Sequence, residues 1–181
     1  MEGDDPFVRY SVPALYHFTD RRNLPLICQS GGLFSMADLI EMEVEVPYPG
    51  GNEWSHNADK RNGMDRYVHL CFKPYHPMEY LARKEGRIGE SIYLEVHLDV
   101  LKLDGVKYSA GVSNKTGVTI HSIDEAKAKQ LIDFEMLYTQ TDSRDILEYL
   151  RLEERRKQAE KCEILVPDHI TIELIRNIRN G

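Results

Sequence analysis

The sequence predicts an α+β fold built mainly from antiparallel strands. Three observations predict it. Short alternating or aromatic-rich runs, ALYHFT (14–19), YVHLCF (67–72) and SIYLEVHLDV (91–100), read as strands. Helical segments with recognisable start and stop signals lie between them. The strands come from distant parts of the chain, so they must be assembled across long connections.

The elements follow in order. Ala14–Thr19 is the first strand, and Asp20 caps a helix over about Arg21–Ser30. Pro25 is tolerated in that helix's opening turns, and Gly31-Gly32 stops it. Met36–Ile40 adds a turn of helix. Residues 43–66, with Pro47, Pro49, Gly50, Gly51 and Gly63, read as a long polar loop, which in a compact domain is usually functional. Tyr67–Phe72 is a strand, and Pro77 opens a helix to about Lys84. In Ser91–Val100, Ile92, Leu94, Val96 and Leu98 take one face and Tyr93, Glu95, His97 and Asp99 the other. Gly105–Gly117 is turn-rich. Asp124–Gln130 is a short helix and Phe134–Tyr138 a short strand. Asp145 to about Glu160 is a charged helix. Ile164–Val166 is a strand closed by Pro167, and Ile170–Ile178 is a last apolar-periodic element.

Composition narrows the function. The 181 residues suit one domain, 1–181, with 29% charged residues and no sign of disorder. Lys and Arg number 23 against 30 Asp and Glu, a formal charge of -7. That excludes a protein held on nucleic acid by a large net positive field, although not one with a local basic channel. Met1–Pro6 is acidic and is no signal peptide, and no run approaches the apolar length of a membrane span. Cys28, Cys71 and Cys162 are odd in number and widely spaced, which supports neither a disulfide framework nor a zinc site. A cytoplasmic protein without a metal fits best. No Walker loop, GxGxxG, GxSxG or HExxH is present.

Three local features can carry chemistry. In the first, His17-Phe18-Thr19 is followed by Asn23 and by Gly31-Gly32-Leu33. A strand-end His and Thr offer a ring nitrogen and a hydroxyl to a ribose, and glycines let backbone approach a flat ring. In the second, Asp59-Lys60-Arg61 and Arg66 precede YVHLCF, where an arginine can hold a phosphate or orient a carboxylate. In the third, Glu163 opens the buried run Ile164-Leu165-Val166-Pro167. A carboxylate there can hydrogen-bond a ribose hydroxyl and stabilise an oxocarbenium ion. Taken singly, each has an ordinary reading: a strand-edge His with a glycine cap, a solvated charge cluster, a strand-edge Glu.

Together they resemble the DarT family of ADP-ribosyltransferase toxins, which modify bases in single-stranded DNA. The matching pieces are LYHFTDRRNLPLICQSGGL (15–33), DRYVHLCFKPYHPMEYLA (65–82), GVSNKTG (111–117), LIDFEMLYTQTD (131–142) and RRKQAEKCEILVPDHI (155–170). They span nearly the whole chain in the family's order. The resemblance implies an ADP-ribosyltransferase-like fold, two packed and mainly antiparallel sheets with flanking helices around an NAD cleft. It implies an enzyme with NAD as ADP-ribose donor and no metal, modifying thymine or guanine. It places His17, Thr19, Asn23, Gly32 and Arg61 at the NAD, with Arg66 competing for the arginine's role. It makes Glu163 and Arg61 catalytic: Glu163 stabilises the ribosyl cation and is a candidate acceptor for the base's proton. Glu160 is the rival, because Gln158-Ala159-Glu160 matches the Gln-x-Glu of protein-directed transferases. Glu163 is preferred because it abuts the buried strand. Lys161, two residues before Glu163, departs from the protein-directed pattern and suits a nucleic-acid backbone.

Tyr48, Trp54 and Tyr75 are candidates to stack the target base. A basic groove is expected from Lys60, Arg61, Arg66, Arg155, Arg156, Lys157 and Lys161. The implied partners are NAD, single-stranded DNA and a macrodomain antitoxin, with no membrane, in a toxin–antitoxin or antiphage setting. The competing readings are a transferase of the same fold acting on RNA or protein, a non-catalytic NAD- or partner-binding module, and a relative of the NAD-using tRNA 2'-phosphotransferases.

Overall fold

The computed structural model describes residues 5–181. The acidic start read as no signal peptide therefore lies, in residues 1–4, outside the described residues.

A one-turn helix, α1 (Pro6–Arg9), precedes β1 (Leu15–Asp20). The Asp20 carboxylate accepts from Arg22 N at 2.9 Å, so the predicted cap forms. It starts a 3-10 turn (Arg21–Asn23) that continues into α2 (Leu24–Ser30). Gly31 ends α2 at φ +81°, a left-handed conformation that costs a glycine little. Next come β2 (Gly32–Phe34) and α3 (Met36–Glu41), the latter capped by Ser35.

The polar segment 43–66 is not all loop. It contains α4 (Glu53–Asn62), capped by Asn52 Oδ1 on Ser55 N at 2.8 Å and closed by Gly63 at φ +67°. Only Ser55 and Ala58 of α4 are buried, so it has no apolar stripe to betray it. β3 (Tyr67–Cys71), α5 (Pro77–Lys84) and β4 (Ser91–Val96) follow. The strand predicted to reach Val100 stops at Val96. There His97 Nδ1 accepts from Asp99 N at 2.9 Å and starts a 3-10 turn (Leu98–Lys102).

The turn-rich stretch hides β5 (Lys107–Ser109), which pairs with β6 (Ile120–Ser122). After α6 (Ile123–Ala128), Phe134–Tyr138 forms a helix, α7, and not the predicted strand. Its cap is Asp133, which accepts from Met136 N at 3.2 Å, and Phe134, Met136 and Leu137 are all buried. Five residues are too few for periodicity to separate helix from strand. α8 (Ile146–Ala159) is the charged helix, capped by Asp145. β7 (Glu163–Pro167) follows, and the last apolar segment divides into β8 (His169–Thr171), a 3-10 turn (Ile172–Leu174) and β9 (Ile175–Asn180).

The strands form a seven-stranded sheet, β6-β5-β7-β3-β1-β4-β9, and a two-stranded ribbon, β2-β8, with every pairing antiparallel. One face of the large sheet builds the main core from Leu15, Val68, Leu70, Ile92, Leu94, Val96, Ile164 and Val166, all at most 3% exposed. Each such side chain contributes about 1.5–3 kcal/mol on burial. The opposite face carries Tyr16, Cys71 and Tyr93 in a smaller cluster with Ala14.

The centre of this sheet is split. β1 pairs with β4 over all six residues, and β3 pairs with β7 over all five. Between β1 and β3 the register holds one pair, Tyr16↔Cys71. Beyond that pair the two halves part, and backbone groups at the split need other partners. His17 supplies one: its ring Nδ1 lies 3.1 Å from the His69 carbonyl oxygen.

Candidate active site

A cavity of about 250 Å³ opens at this split, between the parting strands, the β2-β8 ribbon and α4. Its wall includes His17, Thr19, Asn23, Gly32, His69 and Glu163.

Glu163 is the first residue of β7, opposite Cys71 of β3 and Ser109 of β5. It is 6% exposed. Its Oε2 accepts from Ser113 N at 3.0 Å and lies 3.4 Å from His69 Nδ1. Ser113 Oγ is 3.2 Å from the same ring nitrogen. His69 Nε2 faces the Met64 carbonyl oxygen at 3.1 Å. Both ring nitrogens thus face acceptors, an arrangement suited to imidazolium. Burial would discharge His69, but the Glu163 carboxylate, helped by the Asp59 charge and the Met64 carbonyl, outweighs it and holds the ring up at about 9. Burial alone would raise Glu163, and the hydrogen bonds and charge of His69 bring it below its ordinary value. Glu163 is therefore an anion held in place before any ligand arrives.

This pair has a pH consequence. The depressed Glu163 stabilises the fold fully above its ordinary value of 4.5 and stops doing so as pH falls through its lower folded value. The raised His69 contributes fully below its ordinary 6.5 and loses that contribution as pH rises through about 9. Thermal midpoints measured from pH 4 to 10 should peak between these limits and fall on the alkaline side. His69→Gln should remove the alkaline fall; an unchanged alkaline limb in that variant would contradict the pairing.

Burial holds His17 below its ordinary value, and the charge of the His69 ring lowers it further, against the pull of the His69 carbonyl. Donation of Nδ1–H to the His69 carbonyl leaves Nε2 as a free acceptor. Thr19 Oγ1 accepts from Asn23 Nδ2 at 3.1 Å. The same amide donates to the Tyr48 carbonyl at 2.8 Å, and its oxygen accepts from Tyr48 N at 3.2 Å. Asn23 thus pins the Tyr48 loop against the cavity, and Arg22 stacks over the Tyr48 ring at 3.4 Å. Arg22 is itself held by the fully buried Asp20, which also accepts from Gly89 N at 2.8 Å and Glu90 N at 3.2 Å. Gly32 has φ +152°, and a Cβ there would lie 2.1 Å from the Ile170 carbonyl oxygen. Close approach of the two ribbon strands requires this glycine.

The structure therefore brings His17, Thr19, Asn23, Gly32 and Glu163 to one cavity. It leaves Arg61 and Arg66 exposed and off the wall. Positions 55, 59 and 62 of α4 share a face, and Arg61 points elsewhere. Glu160 ends α8 away from this cavity. Tyr48 is on the wall, whereas Trp54 and Tyr75 are 63% and 71% exposed. The expected basic groove is thinner than its sequence suggests. Arg155 is taken by Asp133 and Glu135, Lys157 by Glu153, and Arg156 donates to the Thr141 carbonyl.

Sequence reasoning assigned no role to His69 or Ser113 and read Asp59 only beside its basic neighbours. His69 did carry a signal: in YVHLCF it alternates against Val68 and Leu70, so it faces away from the main core. Ser113 had no such signal, because a turn brings it to Glu163 across 50 residues. Among the described residues no cluster of three His, Cys, Asp or Glu side chains could hold a metal, and no helix is long and apolar enough to cross a membrane.

The split antiparallel sheet and its acid-bearing cleft define an ADP-ribosyltransferase-like fold, and comparisons with known proteins agree. Thermosipho africanus DarTG in complex with ADP-ribose is similar, with a TM-score of 0.68 at 18% identity over 91% of this chain and 43% of that one. The chain thus spans less than half the length of that protein. Thermus sp. 2.9 DarT in complex with ADP-ribosylated ssDNA has a TM-score of 0.63 at 19% identity over 93% of this chain and 81% of that one. The same Thermus protein in complex with NAD+ has a TM-score of 0.57 at 18% identity, over 92% and 81%. No curated protein matches. The family model described as "ssDNA thymidine ADP-ribosyltransferase, DarT" matches residues 16–179, and the chain belongs to the DarT family.

Proposed function

We propose that the chain is an NAD-dependent ADP-ribosyltransferase that modifies a nucleobase in single-stranded DNA. The observation that carries this reading is Glu163, a buried anion at the strand split, oriented by Ser113 N–H and His69. The similarity to a Thermus DarT seen in one structure with NAD+ and in another with ADP-ribosylated ssDNA supports the choice of donor and acceptor.

NAD enters the cleft with its nicotinamide ribose toward Glu163. As the glycosidic bond breaks, positive charge develops on the ribose. Glu163 stabilises it through a ribose hydroxyl, and a fixed anion does this without reorganising. His17 Nε2 accepts from a ribose hydroxyl, and Thr19 lines the same side. Asn23 acts through the Tyr48 loop, and Gly32 keeps the ribbon wall close to the donor. Arg61, with Arg66 as its competitor, serves the anionic phosphates of donor or DNA, a role its exposure favours over orienting Glu163. A paired base cannot reach the ribose carbon, which accounts for unpaired DNA as acceptor. The chain acts as a toxin domain in the cytoplasm, countered by a macrodomain antitoxin.

Labelled NAD offered with single-stranded DNA, duplex DNA, RNA and protein tests this. We expect label on single-stranded DNA alone, with transfer falling steeply as salt rises, because a chain of net charge -7 holds DNA only through local cations. Mass spectrometry of the released nucleosides then names the base. Label on RNA or protein with none on DNA would overturn the reading.

A further inference from the structure

Asp59 is unexplained by the roles above. It lies on the cavity wall supplied by α4, together with Ser55 and His56 of the same helix. Its Oδ1 is buried and has no hydrogen-bond partner. It stands in the last turn of α4, where a carboxylate opposes the helix dipole and costs stability. Asp59 as a whole is half-buried and its carboxyl also meets Asn114, but a buried carboxylate oxygen left without a partner at an unfavourable helix position is explained by a ligand group that meets it.

Glu163 is poorly suited to take a proton. Its Oε2 already accepts from Ser113 N–H and faces His69, and both hold it ionised. Asp59 has the opposite environment. Burial raises it first and the Glu163 charge raises it further, while the charges of His69 and His56 and a hydrogen bond from Asn114 offset part of this. Two carboxylates in one cavity with environments that push them apart divide naturally into an electrostatic stabiliser and a base.

We propose that Asp59 is the general base that accepts the proton of the acceptor nucleobase, while Glu163 stabilises the ribosyl cation. This rests on the ADP-ribosyltransferase reading. In the step, the C1'–N bond to nicotinamide breaks and its electron pair leaves with neutral nicotinamide. The lone pair of a base nitrogen forms the new N–C1' bond. The proton of that nitrogen passes to the free Oδ1 of Asp59 and then to water. Arg61, two residues on, stays on the outer side of α4 and takes no part in the proton transfer.

The test compares wild type with Asp59→Asn, and with Asp59→Ser as a second variant, on NAD and a single-stranded oligonucleotide. Transfer should fall about a hundredfold or more in both variants. NAD affinity by calorimetry should stay within threefold, and melting should be no lower, since a carboxylate whose ionised form burial disfavours is removed. The wild-type kcat should show an acid limb that Asp59→Asn lacks. Transfer within threefold of wild type in either variant, or loss of NAD binding in step with activity, overturns the role of Asp59. A wild type that modifies no single-stranded DNA while labelling another acceptor overturns the underlying reading instead.

Discussion

Glu163→Gln is expected to abolish transfer while the protein remains folded. The amide is the same size, and its oxygen still accepts from Ser113 N–H, the contact that places residue 163. What it removes is the negative charge facing the ribose at the moment the glycosidic bond breaks. Loss of one oriented stabilising group in a dry site costs about a hundred- to a thousandfold. A full charge should sit at or beyond the upper end. His69 is not left as a stranded cation. Its elevation comes mostly from the Glu163 carboxylate, so in the variant it falls back toward its ordinary value, while Asp59 and the Met64 carbonyl still favour whatever charge it keeps. Labelled transfer to a single-stranded oligonucleotide, read beside a melting curve, checks both halves. A variant that keeps its melting temperature and transfers within tenfold of wild type would sink the assignment. The same change at Glu160, off the cavity, should leave transfer intact and separates the two glutamates.

The second large effect concerns stability. Gly32→Ala places a methyl 2.1 Å from the Ile170 carbonyl oxygen and 3.0 Å from Thr171 Cα, at φ +152°. These are backbone atoms of β8, so no side chain can swing aside. Relief requires opening the β2-β8 ribbon, paired at Gly32↔Thr171 and Leu33↔Ile170. Strain of this kind costs about 3 kcal/mol or more. For a domain of this size that is a fall of roughly 6–12 °C in melting temperature. Gly31→Ala is the control. Gly31 is also left-handed, at φ +81°, but a Cβ there meets nothing within 4 Å. It should cost only about 1 kcal/mol. Equal losses at the two glycines would mean that backbone conformation, and not the ribbon's close approach, makes Gly32 necessary. The ribbon also walls the cavity through Gly32 and Leu33, so NAD affinity should fall with Gly32→Ala and not with Gly31→Ala.

Elements with strong local signals were legible in the sequence. Alternation marked YVHLCF and SIYLEV, Pro77 opened α5 where expected, and Asp145 capped α8. Elements whose stability comes from elsewhere were not. α4 buries only Ser55 and Ala58 and is delimited by its Asn52 cap and the Gly63 stop. α7 is five residues long and helical because Asp133 caps it over a buried face. β4 ended early because the His97 side chain captured the Asp99 N–H, a local hydrogen bond that an alternation pattern does not register.

The same division runs through the site. By itself the sequence determined the ordered set of segments that marks the family, and with it the positions of His17, Thr19, Asn23, Gly32 and Glu163, because each sits in a contiguous motif. Only the tertiary structure decided what surrounds Glu163. Ser113 reaches it across 50 residues, and His69 comes from the neighbouring strand. It also turned Asp59 inward and Arg61 outward on one helix, two residues apart. The reason is physical. A motif records which residue types follow one another, whereas charge state and proton transfer depend on which groups meet in a low-dielectric cavity, and that is set by a sheet splitting after one shared pair.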